Sequence, residues 1–312
     1  MDKTNLKTTL KLIVCILLAT FILDKVIYFT FNFLSDKVLS GQAIGKLNHY
    51  IITKDTIDVV AFGNSRTNRH INTQKISSSG FNMGVDGTSI AYSATLIKML
   101  PKNKEQIIIV NVDTKNAFKD SYSGDDVNRL NVRYHRDKII KREIDNVNLD
   151  DYIQKFYWSK GYNGKVLGIL KNVFIPKYDY RTYYGYDPIY VNDTQKQIFQ
   201  NYLKYSDPEV DCLDSYTMNS LYRYYLKEMK VFCEENKKKL ILITAPLYRD
   251  SCKEDNSKFT KILKEIDIEY YDYSDLFIEN NLMKYWKDEI HLSNEGAEVF
   301  SDTLQELLVT PL

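Results

Sequence analysis

The chain has 312 residues, 44% of them hydrophobic, and is long enough to bury the core of one large domain or of two small ones. Its 42 basic and 41 acidic residues give a formal net charge of +1. Because no excess of lysine and arginine is available to follow a phosphate backbone, we expect no nucleic-acid partner.

The first predicted element is an apolar N-terminal helix. Three lysines precede an apolar run over residues 12–23, and a second apolar run covers 26–34. As one helix, residues 10–34 would span roughly 37 Å, which is enough to cross a bilayer. The preceding lysines place the N-terminus in the cytoplasm. Residues 1–34 are therefore predicted to be the cytoplasmic N-terminus and transmembrane anchor of a single-pass cell-membrane protein, whose C-terminal domain lies outside the cytoplasm.

Two details of this run stay open. Asp24 and Lys25 are costly in the middle of a span. The span therefore either includes them or ends near Leu23, with residues 26–34 at the membrane interface or against the domain. A cleaved signal peptide is the alternative to an anchor, although no small-x-small cleavage site follows Leu23. Residues 35–56 are expected to be a linker.

Cysteine and histidine predict no metal site, and we expect no cofactor. Cys212, Cys233 and Cys252 lie beyond the anchor without the spacing of metal ligands. One disulfide among them is possible and none is required. The four histidines are scattered, and no pair has the spacing of zinc ligands.

The remainder of the chain alternates between predicted strands and helices. Short apolar runs predict five strands, over residues 57–62, 81–85, 106–113, 239–246 and 268–274. Helical spacing predicts three helices, over 89–100, 217–237 and 293–309. This order is typical of an α/β fold with a parallel sheet covered on both faces, in a domain over 57–312. Residues 114–216 lack a clear periodicity and are too many for a connection, so we expect an insertion beside the site.

The ends of these strands carry the residue types that acyl transfer requires. Ligands of an open parallel sheet bind beyond the carboxyl ends of its strands. There, Ser65 follows the first strand, and Gly84 and Gly87 follow the second. A late loop carries Asp288 three residues before His291. Together they supply a nucleophile, a base, a carboxylate that can orient the base, and glycine amides for an oxyanion.

Three motifs resemble those of the SGNH (GDSL-type) hydrolase superfamily. They are "FGNSR" after the first strand, "NMGVDGTS" after the second and "DEIHLSNEG" before the last helix. Within the superfamily, the chain is similar to the membrane-anchored branch that modifies cell-surface polymers, which includes the D-alanine transfer protein and the alginate-type O-acetyltransferases. The resemblance covers about 57–113 and 239–309. It implies a flavodoxin-like three-layer α/β sandwich, here preceded by one transmembrane helix.

The resemblance also implies a role for each matching residue. Ser65 is expected to be the nucleophile, His291 its general base, and Asp288 the carboxylate that orients His291. The backbone N–H groups of Ser65 and Gly84 are expected to form part of an oxyanion hole.

The segment at the end of the third predicted strand departs from the superfamily pattern. Where Gly-x-Asn-Asp is common in the superfamily, this chain has "NVDTKN". Asn111 is a candidate for the third oxyanion donor, and Asp113 and Asn116 lie close to it in sequence. A carboxylate would repel an oxyanion, so the third donor is not identified by the sequence.

Further residues are weaker candidates. Arg66, Tyr248 and Arg249 are candidate substrate contacts, because they follow strand ends. His70 is a rival general base five residues after Ser65, but no carboxylate lies near it in sequence.

These observations predict serine-dependent acyl transfer or ester hydrolysis on a cell-envelope or exported polysaccharide, through an acyl-Ser65 intermediate. Transferase and esterase share one triad, so the sequence does not separate them. The anchor favours O-acyl transfer, of an acetyl or alanyl group, because a multi-pass membrane acyltransferase could deliver the acyl group at the membrane surface. The alternative is a non-catalytic scaffold that binds the polymer or such a partner.

Overall fold

The structure, a computed structural model, describes residues 3–148, 152–206, 210, 212–213 and 215–309. The predicted segments 1–34, 57–312 and 114–216 include a few residues that lie outside the described ones, namely 1–2, 149–151, 207–209, 211, 214 and 310–312. Five parallel strands form the central sheet: β1 Val59–Phe62, β2 Gly80–Asn82, β3 Gln106–Asn111, β4 Lys238–Thr244 and β5 Glu269–Asp272. Their order in the sheet is β2-β1-β3-β4-β5. This is the flavodoxin-like order, which reverses between β1 and β3.

Helices surround this sheet. In the described residues the α-helices are α1 Lys3–Ser35, α2 Ile44–Thr53, α3 Ser65–His70, α4 Thr73–Ile76, α5 Ile90–Ile97, α6 Thr114–Phe118, α7 Lys138–Val147, α8 Tyr152–Phe156, α9 Val166–Phe174, α10 Asp193–Tyr205, α11 Ser220–Glu235, α12 Lys253–Glu265 and α13 Asn294–Val309. Short 3-10 helices cover Asp125–Arg133, Trp158–Tyr162, Ile278–Asn280 and Met283–Tyr285.

Alternate residues of each buried strand enter two cores on opposite faces of the sheet. Val60 and Ile108 join the core that includes α2, α5 and α11. Ala61 and Ile109 join the core that includes α13. Strands buried on both faces explain why the sequence shows continuous apolar runs instead of an alternating pattern. The predicted α/β fold with a parallel sheet covered on both faces is confirmed, and each of the five predicted strands is present.

The segment 35–56, which we expected to be a linker, contains α2. Leu47 and Tyr50 of this helix are buried in the core, and the Tyr50 hydroxyl donates to the Leu96 carbonyl at 2.8 Å. Lys46 and His49 interrupt the apolar pattern of the helix. Both are buried, so their polarity conceals a core element in the sequence.

The predicted insertion lies between β3 and β4 and contains short helices that flank the sheet. A disulfide between Cys212 and Cys252 ties the end of this segment to the start of α12. Cys233, the other cysteine beyond the anchor, is free and buried in α11.

Helix α1 has two parts with different surroundings. Within the described residues, one helix, Leu6–Ser35, is long and apolar enough to cross a membrane. Residues 6–23 are exposed on every side, whereas Asp24 is 4% exposed. Its carboxylate accepts the backbone N–H groups of Trp158 and Ser159, both at 3.0 Å. The folded domain therefore begins at Asp24 on α1, although the helix itself continues without a break.

Candidate active site

Ser65 stands at the N-terminus of α3, beyond the carboxyl end of β1. The turn before it contains Gly63, whose φ of 139° is unfavourable for other residues. A Cβ atom at Gly63 would lie 2.3 Å from Thr67 Oγ1 and 2.7 Å from the Asn111 carbonyl oxygen. Asn64 then caps α3, because its side-chain oxygen accepts the Arg66 N–H at 3.0 Å. This turn requires glycine, and it places the Ser65 side chain above the sheet.

Ser65, His291 and Asp288 form a continuous chain of hydrogen bonds. His291 Nε2 lies 3.0 Å from Ser65 Oγ, and His291 Nδ1 lies 3.1 Å from each carboxylate oxygen of Asp288. An ionised carboxylate only accepts hydrogen bonds, so Nδ1 carries the imidazole proton and Nε2 is free to accept the Ser65 hydroxyl proton. This is the geometry of a nucleophile, base and orienting carboxylate.

The loop around Asp288 fixes the carboxylate. One of its oxygens accepts the backbone N–H groups of Ile290 at 3.0 Å and His291 at 2.9 Å. Partial burial would raise the pKa of Asp288, but the hydrogen bonds and charge of His291 outweigh it and hold the pKa below its usual value. Asp288 is therefore ionised at neutral pH, as the orienting role requires.

His70 supports this loop instead of competing with His291. It is fully buried, and its Nε2 accepts the Leu292 N–H at 3.0 Å. Burial lowers the pKa of His70 well below its usual value, so the ring is neutral and can accept this hydrogen bond. A ring nitrogen that is occupied in this way is not available as the base for Ser65.

Gly84, the expected oxyanion donor, has its N–H group already engaged. The Gly84 N–H donates to Asn82 Oδ1 at 2.9 Å. A Cβ atom at Gly84 would lie 2.4 Å from the Asn68 nitrogen, so the glycine is needed for close packing against α3. Gly87 instead lines the cleft that contains Ser65, with a φ of 73°. Gly87 therefore replaces Gly84 as the candidate donor from this loop.

Lys46 of α2 holds the loop after β2 from inside the protein. The side chain is fully buried, with Nζ 2.5 Å from Asn68 Oδ1 and 2.6 Å from the Gly84 carbonyl oxygen. It thus joins the loop to α3. Burial lowers the pKa of Lys46 to about 7, against attraction from Asp187 and Asp86. This lysine could not be singled out from the sequence, because it lies in the segment interpreted as a linker.

Asn111 is engaged in structural hydrogen bonds. Its side-chain oxygen accepts the Ala245 N–H at 2.9 Å, and its Nδ2 donates to Asn64 Oδ1 at 3.2 Å. It is 4% exposed and does not line the cleft beside Ser65. Asn111 therefore ties β3 to β4 and supports the cap of α3, which does not fit the expected role as an oxyanion donor.

The cleft beside Ser65 has a volume of about 460 Å³, and its lining combines apolar surface with polar groups and charges of both signs. Its side chains include those of Ser65, Arg66, Asp113, Lys115, Arg249, Asp255 and Asn256. Arg66 Nη2 lies 3.9 Å from Asp113 Oδ2, so the charge of this carboxylate is offset by a neighbouring cation. Lys115, Asp255 and Asn256 were missed by the sequence analysis. For Lys115 the signal was available, because it follows the end of β3.

The three predicted substrate contacts lie in different places. Arg66 and Arg249 line the cleft. The Tyr248 ring packs against Phe199 and Trp286, with ring centroids 5.2 and 5.5 Å apart, and is not part of the cleft lining. Tyr248 is thus partly buried and packs against the core on the α13 side. Across the described parts of the chain, no cluster of three or more His, Cys, Asp or Glu residues could hold a metal ion.

No protein-family profile and no curated protein matches the chain. Three solved structures are similar in part. A "putative acylhydrolase" from Bacteroides fragilis is 14% identical with a TM-score of 0.38, over 84% of this chain and 95% of that one. A "putative platelet activating factor" from Streptococcus pneumonia is 11% identical with a TM-score of 0.40, over 90% and 98%. A "GDSL-like lipase" from Bacteroides thetaiotaomicron is 12% identical with a TM-score of 0.37, over 80% and 87%. At such low TM-scores and identities, these likenesses carry no conclusion on family or activity.

Proposed function

We propose that the protein is an SGNH-type enzyme that transfers or hydrolyses an ester-linked acyl group through an acyl-Ser65 intermediate. The observation that carries this proposal is the chain of hydrogen bonds from Ser65 Oγ through His291 to Asp288. The residues come from opposite ends of the domain sequence, 226 positions apart for Ser65 and His291. A turn or a helix cap alone has no need of this arrangement.

In the proposed reaction, Ser65 Oγ attacks the ester carbonyl carbon while His291 Nε2 takes the hydroxyl proton. The ionised Asp288 stabilises the imidazolium that forms. The oxyanion is bound by the backbone N–H groups of Ser65 and Gly87. When the tetrahedral intermediate collapses, the imidazolium gives its proton to the leaving alcohol. Water or a sugar hydroxyl, deprotonated by His291, then attacks the acyl-Ser65 ester and releases the serine.

The proposed substrate is a cell-envelope or exported polysaccharide. Charged side chains of both signs in the cleft lining suit a hydroxyl-rich chain better than they suit a lipid acyl tail. The exposed apolar part of α1 would hold the site at the membrane, with the domain outside the cytoplasm. This location favours O-acyl transfer, of an acetyl or alanyl group, with a multi-pass membrane acyltransferase as the partner that delivers the acyl group. A non-catalytic scaffold, which would keep the fold without turnover, is the competing function.

The test of the chemistry is acylation by p-nitrophenyl acetate of the full chain in detergent. We expect a single acetyl group on Ser65, found by mass spectrometry of the peptides. Ser65→Ala should remove the label. Ser251→Ala is the matched control, because Ser251 lines the same cleft and should leave labelling unchanged. Labelling that persists in Ser65→Ala would place the nucleophile elsewhere.

A second measurement separates enzyme from scaffold in cells. The acyl content of the surface polymer should fall to background when Ser65→Ala replaces the wild-type chain at equal protein level. Near-normal acylation with Ser65→Ala would favour the scaffold.

Protease added to intact cells should degrade the domain if residues 35–312 lie outside the cytoplasm, and a protected domain would refute this orientation.

A further inference from the structure

A segment of the insertion is hydrogen-bonded to α1 at Asp24 and Lys25. Trp158 and Ser159 donate their backbone N–H groups to Asp24, and Lys25 Nζ donates to the Phe156 carbonyl oxygen at 2.9 Å. The Phe156 ring lies 5.5 Å from the ring of Phe21. These contacts position α8 and the following 3-10 helix where the fully exposed part of α1 ends. We call α8 and Trp158 together the collar.

The collar presents apolar side chains to the surface next to those of α1. On α8, Tyr152 is 69% exposed, Ile153 62% and Phe156 55%. On α1, Ile22 is 61% exposed and Leu23 58%. The two elements come from distant parts of the sequence, yet their exposed apolar side chains adjoin. Isolated apolar residues on a surface need no explanation, but a continuous patch does.

We propose that the collar lies in the interfacial layer of the bilayer that α1 spans, as a second membrane contact of the protein. This inference rests on the proposed role of α1 as an anchor. The fully exposed part of α1, residues 6–23, extends roughly 27 Å, close to the roughly 30 Å of the hydrocarbon core. Lys7 and Lys11 lie toward the cytoplasmic end of this part, where long lysine side chains can extend their ammonium groups toward the head groups. Asp24 and the collar therefore fall at the boundary between acyl chains and head groups. Aromatic side chains are enriched at that depth, where an apolar ring meets water.

The charges near the collar fit the same location. Lys25 Nζ lies 4.6 Å from the ring centroid of Phe21 and 4.3 Å from that of Trp158. Lys155 Nζ lies 5.4 Å from the ring centroid of Tyr152. A lysine that keeps its stem along apolar rings can place its ammonium group among anionic lipid head groups. Lys25 is 17% exposed and paired with Asp24 at 2.7 Å, whereas Lys155 is exposed, so Lys155 supplies the cation for anionic head groups. An exposed cation beside exposed aromatic rings favours a lipid surface as the occupant of this patch.

Two contacts constrain the domain more than one does. A single helix would leave the domain free to rotate about the helix axis. A collar on one side of α1 selects the rotation in which α8 faces the lipid. The position of the Ser65 cleft relative to the membrane surface would then be fixed, which matters for an enzyme that meets a polymer or a partner at that surface.

Depth-dependent quenching of tryptophan fluorescence tests the proposal in the full chain, reconstituted in nanodiscs with or without brominated acyl chains. A Trp158→Phe background leaves the buried Trp286 as the other tryptophan of the sequence. In that background, Ile153→Trp should lose at least about half of its added fluorescence in brominated lipid. The matched control is Ile198→Trp on α10, because Ile198 is 64% exposed and lies outside the collar. Its fluorescence should not change.

Two further variants keep the outcome interpretable. Tyr152→Trp should be quenched to the same extent as Ile153→Trp. Agreement between the two variants shows that the result does not come from a local structural perturbation by one substitution. Leu18→Trp, in the exposed part of α1, reports on the anchor itself. Quenching of Leu18→Trp without quenching at either collar position would overturn the collar proposal and leave the anchor standing. If Leu18→Trp is not quenched, the anchor fails, and the collar proposal fails with it.

Discussion

The two sides of Ser65 are built differently. On the base side, the loop from Asp288 to Leu292 contains both the carboxylate and the imidazole, and most of its hydrogen bonds are local. On the oxyanion side, the loop from Gly84 to Gly87 is held by side chains from α2, β2 and α3. One side of this site is therefore encoded mainly by a short motif, while the other depends on the whole fold.

This difference has a physical origin. A base must be oriented by its carboxylate, and the four residues from Asp288 to His291 arrange that locally, while the fold brings the imidazole to Ser65. A backbone N–H group must point at an empty position above the nucleophile, and the direction of a peptide plane is set by everything packed against it. We therefore expect substitutions on the base side to lower kcat without lowering the free energy of unfolding. Substitutions on the oxyanion side should lower both quantities.

The largest loss of kcat is expected from Asp288→Asn, on the base side. An amide in place of the carboxylate no longer selects the imidazole tautomer that accepts the Ser65 proton. In serine proteases, the comparable change costs roughly 10⁴ in kcat, and we expect a loss of about 10²–10⁴ here. KM and the thermal unfolding midpoint should change little. The measurement is steady-state hydrolysis of p-nitrophenyl acetate.

Asp179→Asn is the matched control for that variant. Asp179 also accepts a backbone N–H group two residues later, from Arg181 at 3.0 Å, but it is exposed and lies outside the cleft. It should retain full activity. Ser65→Ala with Asp288→Asn should be no less active than Ser65→Ala alone, because triad members act as a unit. A loss of activity in Asp179→Asn, or a fully active Asp288→Asn, would contradict the assignment.

The next effect is expected from Gly87→Ala. At a φ of 73° an alanine is strained, and its Cβ would lie 3.3 Å from Arg129 Nη2. The loop should shift, and kcat should fall by about 10–100-fold because the Gly87 N–H group leaves the oxyanion position. Gly164→Ala is the control, since Gly164 has a φ of 72° and open space around it. It should lose stability by about 1 kcal/mol without a change in kcat. Equal effects on kcat in both variants would remove Gly87 from the oxyanion hole.

A smaller effect on rate, with a distinct pH dependence, is expected from Lys46→Met. Because burial lowers the pKa of Lys46 to about 7, the unfolded chain binds a proton that the folded chain lacks between about pH 7 and its ordinary value of 10.5. The free energy of unfolding should therefore rise with pH over this window, by up to about 1.4 kcal/mol per pH unit. Lys46→Met should lose this slope. Its kcat should fall by about 10-fold through displacement of the loop.

The slope is measured as the difference in unfolding free energy between the wild type and the variant in detergent. Lys258→Met provides the control, because the Lys258 side chain is 48% exposed and should not contribute to the slope. Identical pH slopes for the wild type and Lys46→Met would mean that Lys46 stays charged in the folded protein.

The smallest effect is expected from Tyr248→Phe on the base side. The ring packs against the core and is not part of the cleft lining, so removal of the hydroxyl should change kcat/KM by less than about two-fold. Arg249→Gln should instead raise KM, because Arg249 lines the cleft. A large loss of kcat/KM in Tyr248→Phe would restore the original expectation that Tyr248 contacts the substrate.

The sequence predicted the sheet because β3 and β4 are continuous apolar runs, which a strand buried on both faces produces. It also predicted Ser65, Asp288 and His291, since their motifs are short. It did not predict which of Gly84 and Gly87 is the oxyanion donor. Two glycines three residues apart do not show which backbone N–H group already donates a hydrogen bond within the protein. It failed for Tyr248 because a residue just past a strand can turn either to the cleft or to the core.

The continuity of α1 beyond Asp24 determines how far the site can reach. From Asp24 to Ser35 the helix adds roughly 18 Å at 1.5 Å per residue, and the chain then enters buried structure without a flexible tether. A tethered domain would sweep a broad volume, with an effective concentration that falls slowly with distance. A domain joined to its membrane helix without a tether, as proposed for α1, instead holds its site at one height. With the proposed polysaccharide substrate, esters on polymer segments at that height would be processed, and those closer to or farther from the membrane would escape.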